Sequence, residues 1–145
     1  MSATPRVITF VAEYGNPDHY WLVGLYIKGV TPLNPGNPVG GTLYDPWCLV
    51  RDVSLPIEAT YTANILSSYE LANLQAVPDL ANRIQLQNLD NINWLLNNYK
   101  RLNASDGDVQ GAIWKMMGSN PISAYIGPQS AANIDALVAQ AQQHD

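Results

Sequence analysis

Cysteine and charged residues are both scarce in this sequence. One cysteine in 145 residues excludes an intrachain disulfide and a zinc site built from several cysteines. Charged residues make up 13% of the chain, about half the usual share for soluble domains. Asn, Gln, Ser and Tyr must therefore supply much of the polar surface. This composition is typical of secreted proteins, so we expect an extracellular or cell-surface location.

Basic residues and long apolar runs are scarce as well. The chain has seven Lys and Arg against twelve Asp and Glu, and the basic residues are scattered, which argues against nucleic acid as a partner. The longest apolar stretch, residues 21–30, is interrupted by Gly24, Lys28 and Gly29, so no membrane span is predicted. Residues 1–6 do not resemble a secretion signal, and we expect neither a signal nor an anchor in this chain.

The first half of the chain has the composition of strands. Residues 6–11 and 20–27 are rich in β-branched and aromatic side chains, so each is predicted to form a strand. Residues 31–41 hold three prolines and three glycines, which predicts a loop. A third strand is predicted through residues 42–44 and, after a proline, through residues 47–50.

Apolar residues three and four positions apart predict helices in the second half. One begins at Leu89 and extends to Leu102. A second begins at Ser105, whose side chain is expected to cap it, and ends at Gly118. A third covers about residues 129–143.

Strands followed by helices predict an α+β fold, with a mostly antiparallel β-sheet or sandwich in the N-terminal half and a helical subdomain in the C-terminal half. The length fits a single domain over residues 1–145. Three strands make a small sheet for this length, so we expect a closing strand beyond Asp145, in which case the domain is truncated at its C-terminus.

Two residues of ordinary type become notable when they are taken together. Cys48, in the third predicted strand, would usually be a small buried apolar residue. Gln110 lies one position off the apolar stripe of the second helix, so it is predicted to be half-buried, with Trp114 one turn further on the same side.

Two short motifs surround these residues. Residues 44–49 read Tyr-Asp-Pro-Trp-Cys-Leu, and residues 109–114 read Val-Gln-Gly-Ala-Ile-Trp. They resemble the cysteine motif and the glutamine motif of the bacterial thioester domains of surface adhesins and pilus-tip proteins, and residues 89–97 resemble the helix that precedes the glutamine motif. Val109 stands where many members have Thr.

The resemblance implies a single thioester-type domain in which Cys48 and Gln110 form an internal thioester. The sulfur would attack the carboxamide carbon and ammonia would leave, with backbone N–H groups in the first turn of the helix as candidate oxyanion donors. Trp47 and Trp114 would shield the bond, and Tyr44, Ala112 and Ile113 would support it.

The resemblance also implies what the bond would do. A lysine or another amine on a target surface would open the thioester and leave an amide cross-link, giving covalent adhesion by a bacterial surface protein. Such a protein turns over once and is not an enzyme. It would need no cofactor and no metal, and we expect a monomer.

Two other functions remain open from the residues alone. The first is a noncovalent binding module that uses exposed aromatic side chains, with Cys48 and Gln110 as buried neighbours; the candidates are Tyr14, Tyr20, Tyr26 and Tyr61. The second is a cysteine hydrolase that pairs Cys48 with His19. His19 and His144 are not spaced as a metal pair, and Asp45, Arg51 and Asp52 are expected to be solvated or to form turns.

Overall fold

A computed structural model describes the backbone of four strands between residues 6 and 65, together with residues 47–51, 68–69, 71–124 and 126–144. Side chains are described in those last four ranges, apart from residues 78 and 81. The chain divides into two compact units. One comprises Met1–Trp47 and Ser54–Leu66, and the other comprises Cys48–Val53 and Ser67–Asp145.

The first unit contains a four-stranded antiparallel sheet. Its strands are β1 (Arg6–Asn16), β2 (His19–Lys28), β3 (Thr42–Tyr44) and β4 (Thr60–Ile65), in the order β3-β2-β1-β4. β1 and β2 pair in antiparallel fashion, with Thr9 opposite Lys28, and the register shifts between Tyr14 and Asn16. β4, which the sequence did not predict, pairs with the other edge of β1.

The second unit is helical. It contains α1 (Leu71–Gln75), α2 (Pro78–Arg83), a 3-10 turn (Leu86–Asn88), α3 (Leu89–Asn98), α4 (Asp106–Met116) and α5 (Ala131–Gln142). The start of α4 is confirmed, because the Ser105 side chain accepts a hydrogen bond from the Asp108 N–H at 3.1 Å. Gly118 follows this helix with a φ of +77°, a conformation that glycine adopts without strain.

The division of the chain into a sheet unit and a helical unit corrects the predicted fold class, a β-rich N-terminal half followed by a helical C-terminal half. Where the structure describes side chains, in residues 47–51 and in the described residues from 68 to 144, the chain is mainly helical and contains no strand. The expected β-rich half therefore does not extend through the cysteine segment. The strands lie in the other unit, and those described form one sheet rather than a sandwich.

The core of the helical unit forms around α4. Val109, Ala112 and Ile113 have no exposed surface, and neither do Leu95 of α3 and Ile134 of α5. Nearly every residue from Gly107 to Met116 is buried, with Lys115 as the exposed exception. The predicted apolar stripe is buried, but so are the other faces of α4, which is therefore a central helix and not one buried along a single stripe. No helix in the described part of the chain is long and apolar enough to cross a membrane.

Candidate functional site

Cys48 lies in a segment without regular secondary structure, so the strand predicted through residues 47–50 is wrong. The physical reason lies in its backbone hydrogen bonds. Both polar backbone groups of Cys48, which a strand would use for a ladder, are bonded to the side chain of Gln110. Cys48 and Gln110 both belong to the helical unit, although 62 positions separate them in sequence.

Gln110 is the fifth residue of α4 and has no exposed surface, so its predicted half-burial is wrong. Its Oε1 accepts a hydrogen bond from the Cys48 N–H at 2.9 Å, and its Nε2 donates to the Cys48 carbonyl oxygen at 2.7 Å. The whole carboxamide is thus held against the backbone of the single cysteine.

The Cys48 N–H bond has a consequence for carbonyl chemistry. If a nucleophile attacked the Gln110 carboxamide carbon, negative charge would develop on Oε1, which already accepts this bond. The sequence suggested first-turn N–H groups of α4 as oxyanion donors. Two of these are engaged elsewhere, since the Asp108 and Val109 N–H groups donate to the Ser105 hydroxyl and carbonyl oxygens.

The Cys48 sulfur lies in a partly buried environment. Its thiol donates to the Val50 carbonyl oxygen at 3.1 Å. Burial raises the pKa of the thiol above its ordinary value, while Trp114 and the Val50 backbone lower it to a smaller extent. Cys48 is therefore protonated at neutral pH and needs assistance to act as a nucleophile.

Trp114 and Arg51 contact each other near the Cys48 segment. Trp114 is 5% exposed, and its Nε1–H finds no hydrogen-bond partner in the described part of the chain. Leaving a buried donor unpaired costs about 1–3 kcal/mol. The Arg51 guanidinium carbon lies 5.6 Å from the Trp114 ring centroid, and an Arg51 nitrogen donates to the Ile122 carbonyl oxygen at 3.3 Å. Arg51 lies in a turn, one of the two alternatives that the sequence suggested, but its side chain is not simply solvated.

Polar contacts fix the first turn of α4 against the start of α5. The Asp108 carboxylate is buried and accepts hydrogen bonds from the Ser130 N–H at 2.7 Å and the Asn133 side-chain nitrogen at 3.0 Å. Gln129 Nε2 donates to the Gly107 carbonyl oxygen at 3.0 Å. Sequence reasoning missed these contacts and those of Val50 and Arg51, because each depends on the packing of segments distant in the chain.

The other predicted site residues have different positions. Ala112 and Ile113 are fully buried core residues of α4. Trp47 is half-buried and belongs to the unit that contains the sheet. Tyr44 is the last residue of β3, and its side chain lies outside the described residues.

The remaining predictions concern the Cys48–His19 dyad, the exposed aromatic side chains and the two histidines as metal ligands. The His19 side chain lies outside the described residues, as do those of Tyr14, Tyr20, Tyr26 and Tyr61, so the dyad and the aromatic binding surface stay predictions. The His144 ring stacks on Trp94 with ring centroids 4.2 Å apart. Among the described residues, no group of three or more His, Cys, Asp and Glu side chains could hold a metal ion.

Comparisons of the chain with family models, curated proteins and solved structures find no match. The likeness to thioester domains therefore depends on the two motifs and on the contact between Cys48 and Gln110.

Proposed function

We propose that Cys48 and Gln110 form an internal thioester and that this bond attaches the protein covalently to amines on a target surface. The observation that carries the proposal is the pair of hydrogen bonds between the Gln110 carboxamide and the Cys48 backbone. A buried glutamine held against the backbone of the one cysteine of the chain brings the two reacting residues together, which an intramolecular acyl transfer needs.

Bond formation needs no second reactant. The Cys48 sulfur attacks the Gln110 side-chain carbonyl carbon, and the Cys48 N–H stabilises the charge on Oε1. The carbon–nitrogen bond then breaks, the thiol proton passes to the nitrogen, and ammonia leaves. An amide is a poor acyl donor, so the barrier must be lowered by placement, which contributes up to about 7–11 kcal/mol in well-oriented intramolecular reactions.

The proposed use of the bond is attachment. A primary amine, such as that of a lysine side chain, attacks the carbonyl carbon, an amide forms, and the Cys48 thiol is released. Each molecule reacts once, so the protein is an adhesion domain and not an enzyme. The low charge content supports a secreted or cell-surface setting, where amines of other proteins are the targets.

Intact mass measured under nondenaturing preparation tests the proposal. We expect the wild-type chain to lack the mass of one ammonia and to gain the mass of methylamine when that amine is added. Cys48→Ala and Gln110→Ala should each have the full calculated mass and should capture no methylamine, because neither can form the bond.

Gln129→Ala provides a matched control. It removes a glutamine with three hydrogen bonds, to Gly107, Pro121 and Ser123, but leaves the Cys48–Gln110 pair intact. The folded Gln129→Ala chain should keep the mass deficit. A wild-type chain of full mass that never captures methylamine would contradict the proposal.

The second candidate is a noncovalent binding module. The same two hydrogen bonds favour it to the extent that they give both polar atoms of a buried carboxamide a partner, as a structural glutamine requires. This candidate predicts full mass for the wild type and no covalent capture, so the mass measurement decides between the two.

A further inference from the structure

The Trp114 indole N–H is a buried donor without an acceptor in the described part of the chain. Buried tryptophan N–H groups normally find a partner, so an unpaired one calls for an explanation. The other unpaired side-chain atom of this kind, Asn93 Nδ2, belongs to an amide whose oxygen already contacts the Ser68 hydroxyl at 3.0 Å. Trp114 differs because it lies one helical turn beyond Gln110, whose side chain is bonded to the Cys48 backbone, and because Arg51, three residues after Cys48, lies over its ring.

These contacts place the Trp114 side chain beside the Cys48 segment, and the acidity of the thiol agrees with that placement. Trp114 lowers the pKa of the Cys48 thiol, as a donor beside the sulfur does. In the thiol form the sulfur is a weak acceptor, and its own proton is directed to the Val50 carbonyl oxygen. In the described part of the chain the Trp114 N–H makes no full hydrogen bond, which fits a neutral sulfur as its neighbour. A sulfur with negative charge is a strong acceptor, and it would complete the bond.

Arg51 strengthens this donor. Its guanidinium carbon lies 5.6 Å from the Trp114 ring centroid, so a permanent positive charge faces the π-system. A cation there draws electron density from the ring and makes the N–H more positive. Arg51 supplies no proton, since the guanidinium stays charged at any ordinary pH.

We propose that the Trp114 N–H stabilises the negative charge on the Cys48 sulfur, both when the thioester forms and when an amine opens it. This inference rests on the proposed function and adds to it a donor for the sulfur, alongside the Cys48 N–H that serves the oxygen. In opening, the carbon–nitrogen bond forms, the carbon–sulfur bond breaks, and its electron pair goes to the sulfur. The proton that the amine loses then converts the thiolate to a thiol. Trp114 neither gives nor takes a proton.

The rate at which methylamine opens the thioester in Trp114→Phe distinguishes two roles for Trp114: a shield of the bond from solvent, or a hydrogen-bond donor to the sulfur. Loss of a shield would leave methylamine opening unchanged or make it faster, because more solvent reaches the bond. Loss of the donor should slow opening by about tenfold to a hundredfold, the range for a hydrogen bond to a charged group. The rate is measured by intact mass over time at one pH, on chains that circular dichroism shows to be folded.

Two further variants complete the experiment. 3-Benzothienylalanine at position 114 keeps the bicyclic shape of tryptophan but has no N–H. It should therefore slow opening as Trp114→Phe does. This variant tests the loss of the donor even if the smaller Phe ring disturbs the fold. Trp94→Phe is the matched control. Trp94 lies in α3 and stacks on the His144 ring, so this substitution should not change the rate of opening. Opening that is as fast as wild type, or faster, in the benzothienyl chain would overturn the inference.

A measurement on the free thiol distinguishes failure of this inference from failure of the proposed function. If the wild-type chain has full mass, the proposed thioester is absent, and the thiol pKa is measured instead by the pH dependence of iodoacetamide alkylation. The benzothienyl chain should then have a thiol pKa higher by about one to two units, the same tenfold to hundredfold range. An unchanged midpoint would overturn the Trp114 role in that case too.

Discussion

At the scale of single residues, Gln110 shows that a buried polar side chain needs hydrogen-bond partners inside the protein. A carboxamide with no exposed surface needs acceptors and donors inside the protein, and leaving one polar group unpaired costs about 1–3 kcal/mol. The Cys48 backbone satisfies both ends of the amide. The same pairing removes any need for Cys48 to lie in a strand.

The ionisation of Cys48 leads to a prediction about pH and stability. In Gln110→Ala, where the thiol stays free, the free energy of unfolding should fall as the pH rises above about 8.5, the ordinary thiol pKa. Burial raises the pKa of Cys48 in the folded chain, so the folded state binds the proton more tightly than the unfolded state. This contribution is complete below the ordinary pKa and is lost as the pH rises through the raised pKa.

Urea unfolding between about pH 7 and pH 10 measures this effect. The double variant Cys48→Ala with Gln110→Ala lacks the thiol but keeps every other titrating group. Its stability should fall less over the same range. Parallel curves for the two chains would mean that burial does not disfavour the Cys48 thiolate.

At the scale of elements, the close approach of α4 to the chain preceding α5 positions Gln110. Gly107 lies in the first turn of α4, where an added Cβ would come within 2.5 Å of the Pro128 carbonyl oxygen and 2.8 Å of that of Ile126. These are backbone atoms and cannot turn aside as a side chain can. Gly107 therefore permits a contact that any other residue would obstruct.

Gly107→Ala should destabilise the protein by about 1–3 kcal/mol, the usual cost of overpacking. Helix propensity alone predicts the opposite sign, since Ala is better than Gly within helices by roughly 0.5–1 kcal/mol. Urea midpoints measure the difference. Lys115→Ala, an exposed substitution in the same helix that removes one surface ion pair with Asp135, should change stability by about 1 kcal/mol or less. A Gly107→Ala chain more stable than wild type would show that the Pro128 segment adjusts freely.

At the scale of the whole molecule, the proposed bond would close a long loop. A link between Cys48 and Gln110 joins positions 62 apart. By the chain-entropy relation for cross-links, closing such a loop lowers the entropy of the unfolded state by an amount worth about 4 kcal/mol.

The thioester-containing chain should accordingly be more stable than the same chain after methylamine opening, by about 2–4 kcal/mol. Chemical unfolding of the two forms, at a pH where the bond persists, measures the difference. Opening by methylamine is the suitable comparison because it leaves a neutral amide at Gln110, whereas hydrolysis would leave a buried carboxylic acid. Methylamine-treated Cys48→Ala controls for effects of the amine itself. Equal stabilities of the open and closed forms would contradict a cross-link between these positions.

Several features of this protein follow from local sequence. The apolar spacing from Leu89 onward predicts α3, and Ser105 with Asp108 three residues later predicts the start of α4, because helix periodicity and capping depend on neighbours within one or two turns. The motifs around Cys48 and Gln110 also identify these two residues as candidates. None of this requires knowledge of the tertiary structure.

Tertiary structure alone decided what those residues meet. Apolar spacing predicted a half-buried Gln110, but α4 lies at the centre of the helical unit, and a helix covered on nearly all sides buries its polar residues too. The β-rich composition around Cys48 predicted a strand, yet a side chain 62 positions away takes its backbone hydrogen bonds. The unpaired Trp114 N–H and the Arg51 cation over its ring likewise arise from packing between distant segments. Such contacts depend on how the elements pack together, and the spacing of residues along one element does not encode that packing.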